Sequence, residues 1–418
     1  MSVKRKLFSY SVNLLLLVSS ILLVLVLAEI AMHIFYPWPY MSEYKFYIRY
    51  DKDASYDIAE NSPVRLIQLK GFKYKAWSNE LGCFDCPYKG EKDYVLLLGD
   101  SFTWGFTDFK YKYGTLMEKY LGMRVLKCGV GGYGTAQELI KARKIIEKIG
   151  RPPKLIVVGY FINNDNIDDL WYRDIRFIDG ITAYSTKIDQ DTGKKTALSE
   201  KDIRKEIATV FLQTPEGADL RDRVKFWLRR SSILYNVLAE KDIVRLLGQK
   251  IGFCHQRYAP YAETFLTIHK RPWIKDSWEE NINSLKGFKA LAQTYNTRLL
   301  FVLIPMKENV YTFLRSNYAE DYDWDYPNQK VISIMKDEGL DFLDMTPVLR
   351  EFADLRPRHI LNRNRDFYWD YEGHWNRRGN ELAGLAISRY ILEQNLLEVK
   401  DGQGKIEKIK KDLRGFKR

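Results

Sequence analysis

The sequence predicts an α/β protein, a three-layer α/β/α arrangement around a parallel sheet, interrupted by a helical insertion and preceded by a transmembrane helix. Three observations predict it. Short apolar runs alternate with helix-period segments, as parallel strands joined by crossover helices require. A 22-residue stretch from Leu7 to Ala28 contains no Lys, Arg, Asp or Glu. Residues 166–275 break the strand–helix rhythm with charged, helix-period segments such as Asp219 to Gly248, over a length too great for an ordinary loop.

Twenty-two residues at about 1.5 Å each span roughly 33 Å, the thickness of a hydrocarbon layer. Lys4, Arg5 and Lys6 precede the stretch, and positive flanks stay cytoplasmic. Tyr36, Trp38 and Tyr40 follow as an interfacial aromatic belt, with Pro37 and Pro39 ending the helix. Residues 1–36 therefore read as a single-pass anchor crossing at 7–28, with everything after residue 36 on the extracytoplasmic side of the inner membrane. A cleaved signal peptide is the competing reading, but Ala28-Glu29-Ile30-Ala31 is a poor small-x-small cleavage site.

Residues 37–92 are Tyr-rich and irregular, a collar between membrane and domain. Residues 93–399 form the principal domain, carrying the insertion at about 166–275. Its strands are expected at Tyr94–Leu98, Val125–Cys128, Leu155–Phe161, Arg298–Ile304 and Asp341–Leu343. Helices are expected at Gly114–Leu121, Ala136–Ile149, Trp278–Tyr295, a stretch ending near Asp337, and Asn376–Gln394. Residues 400–418 form a basic tail, frayed or helical on the surface.

With 418 residues, 46% of them hydrophobic, collagenous and disordered classes are excluded. The net charge of +12 raises nucleic acid as a partner, but residues 400–418 hold eight positive and three negative charges and Lys4–Lys6 three more positives. The body between them carries only +4, so a basic nucleic-acid groove is not expected. Cys83 and Cys86 form a lone CxxC with no second pair or histidines at ligand spacing, so a local disulfide or two free thiols is expected rather than a metal. Cys128 reads as a small core residue, and the sequence calls for no cofactor.

In open parallel sheets, ligands bind beyond the carboxyl ends of the strands. Four polar or glycine-rich blocks fall there: Gly99-Asp100-Ser101, Gly129-Val130-Gly131-Gly132-Tyr133-Gly134, Ile162-Asn163-Asn164-Asp165, and Asp370-Tyr371-Glu372-Gly373-His374-Trp375-Asn376. These blocks, in this order, resemble those of the SGNH (GDSL-type) hydrolase superfamily, with the match covering roughly residues 93–165 and 298–395. The resemblance implies a flavodoxin-like sheet and a serine esterase chemistry. Ser101 corresponds to the nucleophile and His374 to its base. The backbone N–H groups of Ser101 and Gly132 and the side-chain amide of Asn164 correspond to the oxyanion hole. Asp100 and Asp165 would hold the loops. The chain departs from the pattern twice. Ile162 stands where the third block has glycine, and Tyr371 stands where an acid often precedes the histidine by three, leaving Glu372 and Asp370 as alternatives for the third triad member. Among the other histidines, His33 lies at the membrane boundary, His255 and His269 lie in the insertion, and His359 is the reserve candidate.

The anchor, Gly132-Tyr133-Gly134-Thr135-Ala136-Gln137, Pro305-Met306-Lys307-Glu308 and His374-Trp375-Asn376 are similar to features of the bacterial envelope branch of that superfamily, which includes alginate acetylation proteins. That likeness implies hydrolysis of O-acyl, chiefly O-acetyl, esters on an envelope glycan or lipid. It also leaves open O-acyl transfer to an extracytoplasmic polysaccharide alongside a membrane acyltransferase, and an inactive glycan-binding role. Tyr368, Trp369, Tyr371 and Trp375 are either sugar-stacking surfaces or ordinary core and rim aromatics. The Asp219–Gly248 segment, with Arg221, Arg223, Arg229 and Arg230 beside an apolar face, reads as a packed cap helix or a membrane contact.

Overall fold

The computed structural model describes residues 3–35, 47–69, 72–178, 181–189, 192–210, 220–232, 234–235, 273–317, 323–355, 367–369 and 373–416. The chain divides into two compact units, one of residues 1–42, 68–72 and 204–255, the other of residues 43–67, 73–203 and 256–418.

The larger unit is built on five strands: β1 (Tyr94–Gly99), β2 (Arg124–Lys127), β3 (Leu155–Phe161), β4 (Arg298–Ile304) and β5 (Phe342–Asp344). Their spatial order is β5-β4-β3-β1-β2, and every pairing is parallel. This is the 2-1-3-4-5 order of a doubly wound sheet, whose strand order reverses between β1 and β3. Both faces are covered, so the strands are near-continuous apolar runs and not alternating ones. Tyr94, Leu96 and Leu98 of β1 face one apolar cluster, while Val95 and Leu97 face the other.

Among the described residues, helices α2 to α9 lie between these strands, α1 precedes them and α10 to α12 follow: α1 (Val3–Phe35), α2 (Ser101–Trp104), α3 (Tyr113–Leu121), α4 (Thr135–Ile149), α5 (Asp165–Trp171), α6 (Glu200–Val210), α7 (Leu220–Ser231), α8 (Trp273–Thr294), α9 (Tyr326–Asp337), α10 (Met345–Phe352), α11 (Arg377–Glu393) and α12 (Gly402–Phe416). Ile145 and Ile146 of α4, Leu285 and Phe288 of α8 and Val331 of α9 cover one face of the sheet. Met117 of α3, Leu349 of α10, Ile387 of α11 and Ile409 of α12 cover the other. The three layers and the strand positions follow the sequence pattern closely.

Four features differ from the sequence reading. The supposedly irregular residues 47–92 contain an antiparallel hairpin, 48–58, and a second two-stranded sheet of Arg65–Leu69 with Phe72–Ala76, and Tyr47, Tyr56, Tyr74 and Phe84 are buried. Cys83 bonds Cys128 instead of its CxxC neighbour, leaving Cys86 exposed and free. Cys83 is fully buried against the end of β2, a place that sequence spacing does not reveal. The inserted segment carries hairpins at 175–184 and 186–197 as well as helices. The tail is an ordered amphipathic helix, α12, with Ile406, Ile409 and Leu413 buried. Tyr120 donates to Asp412 (3.0 Å) and Lys405 to the Leu121 carbonyl (2.6 Å), fixing α12 beside α3.

In the smaller unit, α1 contains an apolar window, Tyr10–Ala31, long and apolar enough to cross a membrane. Tyr36, Trp38 and Tyr40 lie outside the described residues.

Candidate active site

Ser101 is the first residue of α2, a single turn that starts directly after β1. Gly99 makes this turn possible: its φ of +147° is unfavourable for other residues, and a Cβ there would lie 2.0 Å from Thr103 Oγ1. Asp100 caps the turn, accepting from the Phe102 N–H (2.8 Å). It is fully buried, and burial raises its carboxyl pKa, opposed by the nearby His374 charge and the Phe102 N–H.

His374 approaches from 273 residues further along the chain, and its Nε2 lies 2.6 Å from Ser101 Oγ. The serine hydroxyl has a single proton and a second acceptor, Asp100 Oδ2, at 3.2 Å. The shorter contact is the better-formed bond, which directs the proton to the imidazole. The ring is held between Phe102 and Phe106, with centroids at 4.7 and 4.4 Å. Its backbone is fixed as well. Tyr368 and Trp375 form an antiparallel bridge, the Trp369 N–H donates to the His374 carbonyl (2.9 Å), and Trp369 Nε1 donates to the Phe106 carbonyl (3.1 Å). Asn376 then caps α11 by accepting from the Gly379 N–H (3.0 Å). Tyr368 and Trp375 are each 1% exposed, so they are core residues that set the histidine's position and not sugar-stacking surfaces. Asp370, Tyr371 and Glu372 lie outside the described residues, as do His255, His269 and His359.

The glycine block follows β2. The Val130 N–H donates to the Gly99 carbonyl (2.9 Å), tying this loop to the serine turn. Gly132 has φ +77°, and a Cβ there would meet the Tyr56 hydroxyl at 2.9 Å. Tyr56 itself donates to the Gly131 carbonyl (2.9 Å), and Gln137 donates to the Ala54 carbonyl (2.7 Å). The 48–58 hairpin thus braces the glycine block, a role that the reading of residues 37–92 as a collar did not foresee. Its only sequence signal was the tyrosine content.

The third block follows β3. Asn164 precedes α5, and its Nδ2 donates to Asp168 Oδ2 (2.7 Å) one helical turn later. Asp165 accepts from the Phe161 N–H (2.9 Å), closing the loop as Asp100 closes the first. Ile162, where glycine was expected, is buried in the core and is not among the residues of positive φ, so the backbone here does not require glycine. Ala136 at the start of α4 donates its N–H to Asp169 (2.6 Å), joining the second and third blocks.

Behind these loops lies a group of buried carboxyls, Glu138 on α4 and Asp165, Asp168 and Asp169 on α5, of which sequence reasoning singled out only Asp165. Burial pushes all four up, Asp169 to about 7, and each of Glu138, Asp165 and Asp168 is raised further by neighbouring carboxylates. Of these, Asp168 is the one that holds the Asn164 amide.

The sheet order is that of a doubly wound parallel sheet, and the blocks along its carboxyl edge resemble those of SGNH-type hydrolases. Several solved structures of that type are similar to this chain. A lipolytic protein of the G-D-S-L family from Desulfitobacterium hafniense DCB-2 is 11% identical, with 71% of this chain and 99% of that one covered at a TM-score of 0.34. A carbohydrate acetylesterase family member from Sinorhizobium meliloti is 11% identical, covering 73% and 100% at 0.34. A GDSL-like lipase from Bacteroides thetaiotaomicron VPI-5482 is 10% identical, covering 74% and 91% at 0.31. The likeness to them is one of fold. No family model matches the sequence, and no curated protein matches it.

Proposed function

We propose that the chain is a serine-dependent ester hydrolase acting on O-acyl, chiefly O-acetyl, esters of an envelope glycan or lipid. The observation that carries this reading is the 2.6 Å contact between Ser101 Oγ and His374 Nε2 at the switch point of the sheet. A serine hydroxyl needs a base to become nucleophilic at neutral pH, and an imidazole nitrogen in hydrogen-bond contact is that base.

In the proposed cycle, Ser101 Oγ attacks the ester carbonyl as its proton passes to His374 Nε2. The carbonyl π electrons move to oxygen, and the N–H groups of Ser101 and Gly132 and the Asn164 amide receive the oxyanion. Collapse of the tetrahedral intermediate breaks the bond to the alkoxy oxygen, which takes the proton from His374 and leaves as the alcohol. Water, deprotonated by His374, then attacks the acyl-serine, and collapse of the second tetrahedral intermediate breaks the acyl–Oγ bond as Oγ takes the proton back from His374, releasing the acid. With Nε2 turned to the serine, the triad carboxylate must meet Nδ1, and Glu372 and Asp370 remain the two candidates. Transfer differs only in the second step, where a sugar hydroxyl replaces water. The same residues serve both, so the second acceptor decides between esterase and acyltransferase.

The test is hydrolysis of p-nitrophenyl acetate by the purified full chain in detergent. Ser101→Ala and His374→Ala are each expected to lower kcat by about 10⁴-fold or more. Full activity in Ser101→Ala would overturn the assignment. Comparing Asp370→Asn with Glu372→Gln identifies the third member, whose loss lowers kcat by about 10⁴-fold while the other variant stays near wild type.

A further inference from the structure

The geometry points to α7 as a membrane-surface helix, lying with its apolar face in the anionic outer boundary of the bilayer that α1 crosses. This rests on reading α1 as an uncleaved anchor.

The first observation is the exposed face. Leu220 is 78% exposed, Val224 47% and Trp227 63%. Their i, i+4, i+7 spacing places all three on one side of the helix, where a packed cap helix would have buried them. The sequence reading of this segment as a packed cap therefore does not describe α7. A tryptophan in such a stripe suits the headgroup level, where an indole can be half apolar and half wet.

The second observation says what covers that face. Glu29 lies two residues inside the end of the Tyr10–Ala31 apolar window of α1. Its carboxylate accepts from Ser232 Oγ (2.6 Å) and from the Leu234 N–H (3.1 Å), both immediately after α7. At about 1.5 Å per residue, Glu29 sits roughly 3 Å from the end of that window. The carboxyl end of α7 is thereby tied to α1 at the level where hydrocarbon gives way to headgroups. The same bonds supply Glu29 with the polar partners that an acid at this depth requires.

The third observation is charge. Within Leu220–Ser231 the sequence has Arg221, Arg223, Lys225, Arg229 and Arg230 against the single acid Asp222. A short helix with an apolar stripe and an excess of basic residues partitions into the interface of anionic bilayers.

The test uses the full chain reconstituted into vesicles of equal parts phosphatidylcholine and phosphatidylglycerol. In a background carrying Cys86→Ser and Cys254→Ser, the fluorophore NBD is attached at Leu220→Cys, Val224→Cys or Asp222→Cys, the last about half a turn round the helix from the stripe, and exposed to nitroxide-labelled lipids. Quenching at 220 and 224 is expected to be roughly twofold stronger than at 222, and to weaken when phosphatidylglycerol is left out. Protein that floats with the vesicles but shows no difference between 224 and 222 overturns the proposal and leaves the anchor standing. A disulfide between copies at Val224→Cys, with no lipid quenching there, overturns it in favour of a second copy as the occupant. Protein that does not float with the vesicles overturns the anchor reading, and the proposal with it.

Discussion

At the residue scale, Asn164, the side-chain donor of the proposed oxyanion hole, is held by a partner that no motif contains. An oxyanion donor stabilises developing charge only if it is already oriented, since reorganisation during the reaction would consume the gain. The Asn164 amide has two N–H bonds, and one is committed to Asp168, which leaves the other with a fixed direction. Burial, with Asp100 and Asp169 nearby, pushes the Asp168 carboxyl well above its ordinary range. Asn164→Ala is expected to lower kcat by about 10²–10³-fold. Asp168→Ala should lower kcat by about tenfold or more with KM nearly unchanged, because the lost orientation matters in the transition state and not in ground-state binding. Asp168→Asn, which keeps an acceptor oxygen, should recover much of the loss; steady-state kinetics on p-nitrophenyl acetate separates the two parameters. The block containing Asn164 was legible in the sequence. Asp168 was not, because one acid four residues along a helix is unremarkable until the fold buries it.

At the element scale, α4 and α5 bring Glu138, Asp165, Asp168 and Asp169 together in the interior, and both carboxyl oxygens of Glu138 lack a hydrogen-bond partner among the described residues. Folding therefore raises the pKa values of these groups. A raised carboxyl binds its proton more tightly in the folded state, so its favourable contribution is complete below the unfolded pKa and is lost as pH climbs through the folded one. For Asp169 this window runs from about 4 to about 7. The melting temperature is thus expected to fall as pH rises across this range, with Glu138 contributing in the same direction. Glu138→Gln, nearly isosteric and never charged, should raise the melting temperature at pH 8 by about 2–4 °C and flatten the pH dependence. Thermal denaturation of both proteins across this pH range checks the sign. An unchanged or steeper dependence in Glu138→Gln would remove this residue from the account.

For the whole molecule, the charge imbalance changes meaning once the tail is placed. The sequence concentrates eight positive charges in residues 400–418, which suggests a solvated basic extension. In the structure α12 closes one face of the larger unit, where Arg378 donates to the Phe416 carbonyl (3.0 Å) and the buried Ile406, Ile409 and Leu413 join the core of that face. Removing residues 401–418 is therefore expected to lower the melting temperature by about 5 °C or more through exposure of apolar surface. A solvated tail would leave it unchanged, and differential scanning calorimetry of the truncated chain distinguishes the two.

What the sequence determined by itself is the local and periodic part: the apolar N-terminal helix, the five strands, the alternating helices, and the polar blocks that begin where strands end. Each of these is written in neighbouring residues through side-chain period, charge gaps and turn chemistry. Only the tertiary structure decided that Cys83 pairs with Cys128, that the 48–58 hairpin supports Gly132, that Asp168 holds Asn164, and that α7 leaves an apolar face open. These are contacts between segments distant in the chain or choices among equivalent partners, and burial selects among them. A lone CxxC, a tyrosine-rich stretch or an acid on a helix has the same local pattern whether packing places it in the core, at a catalytic edge or in water.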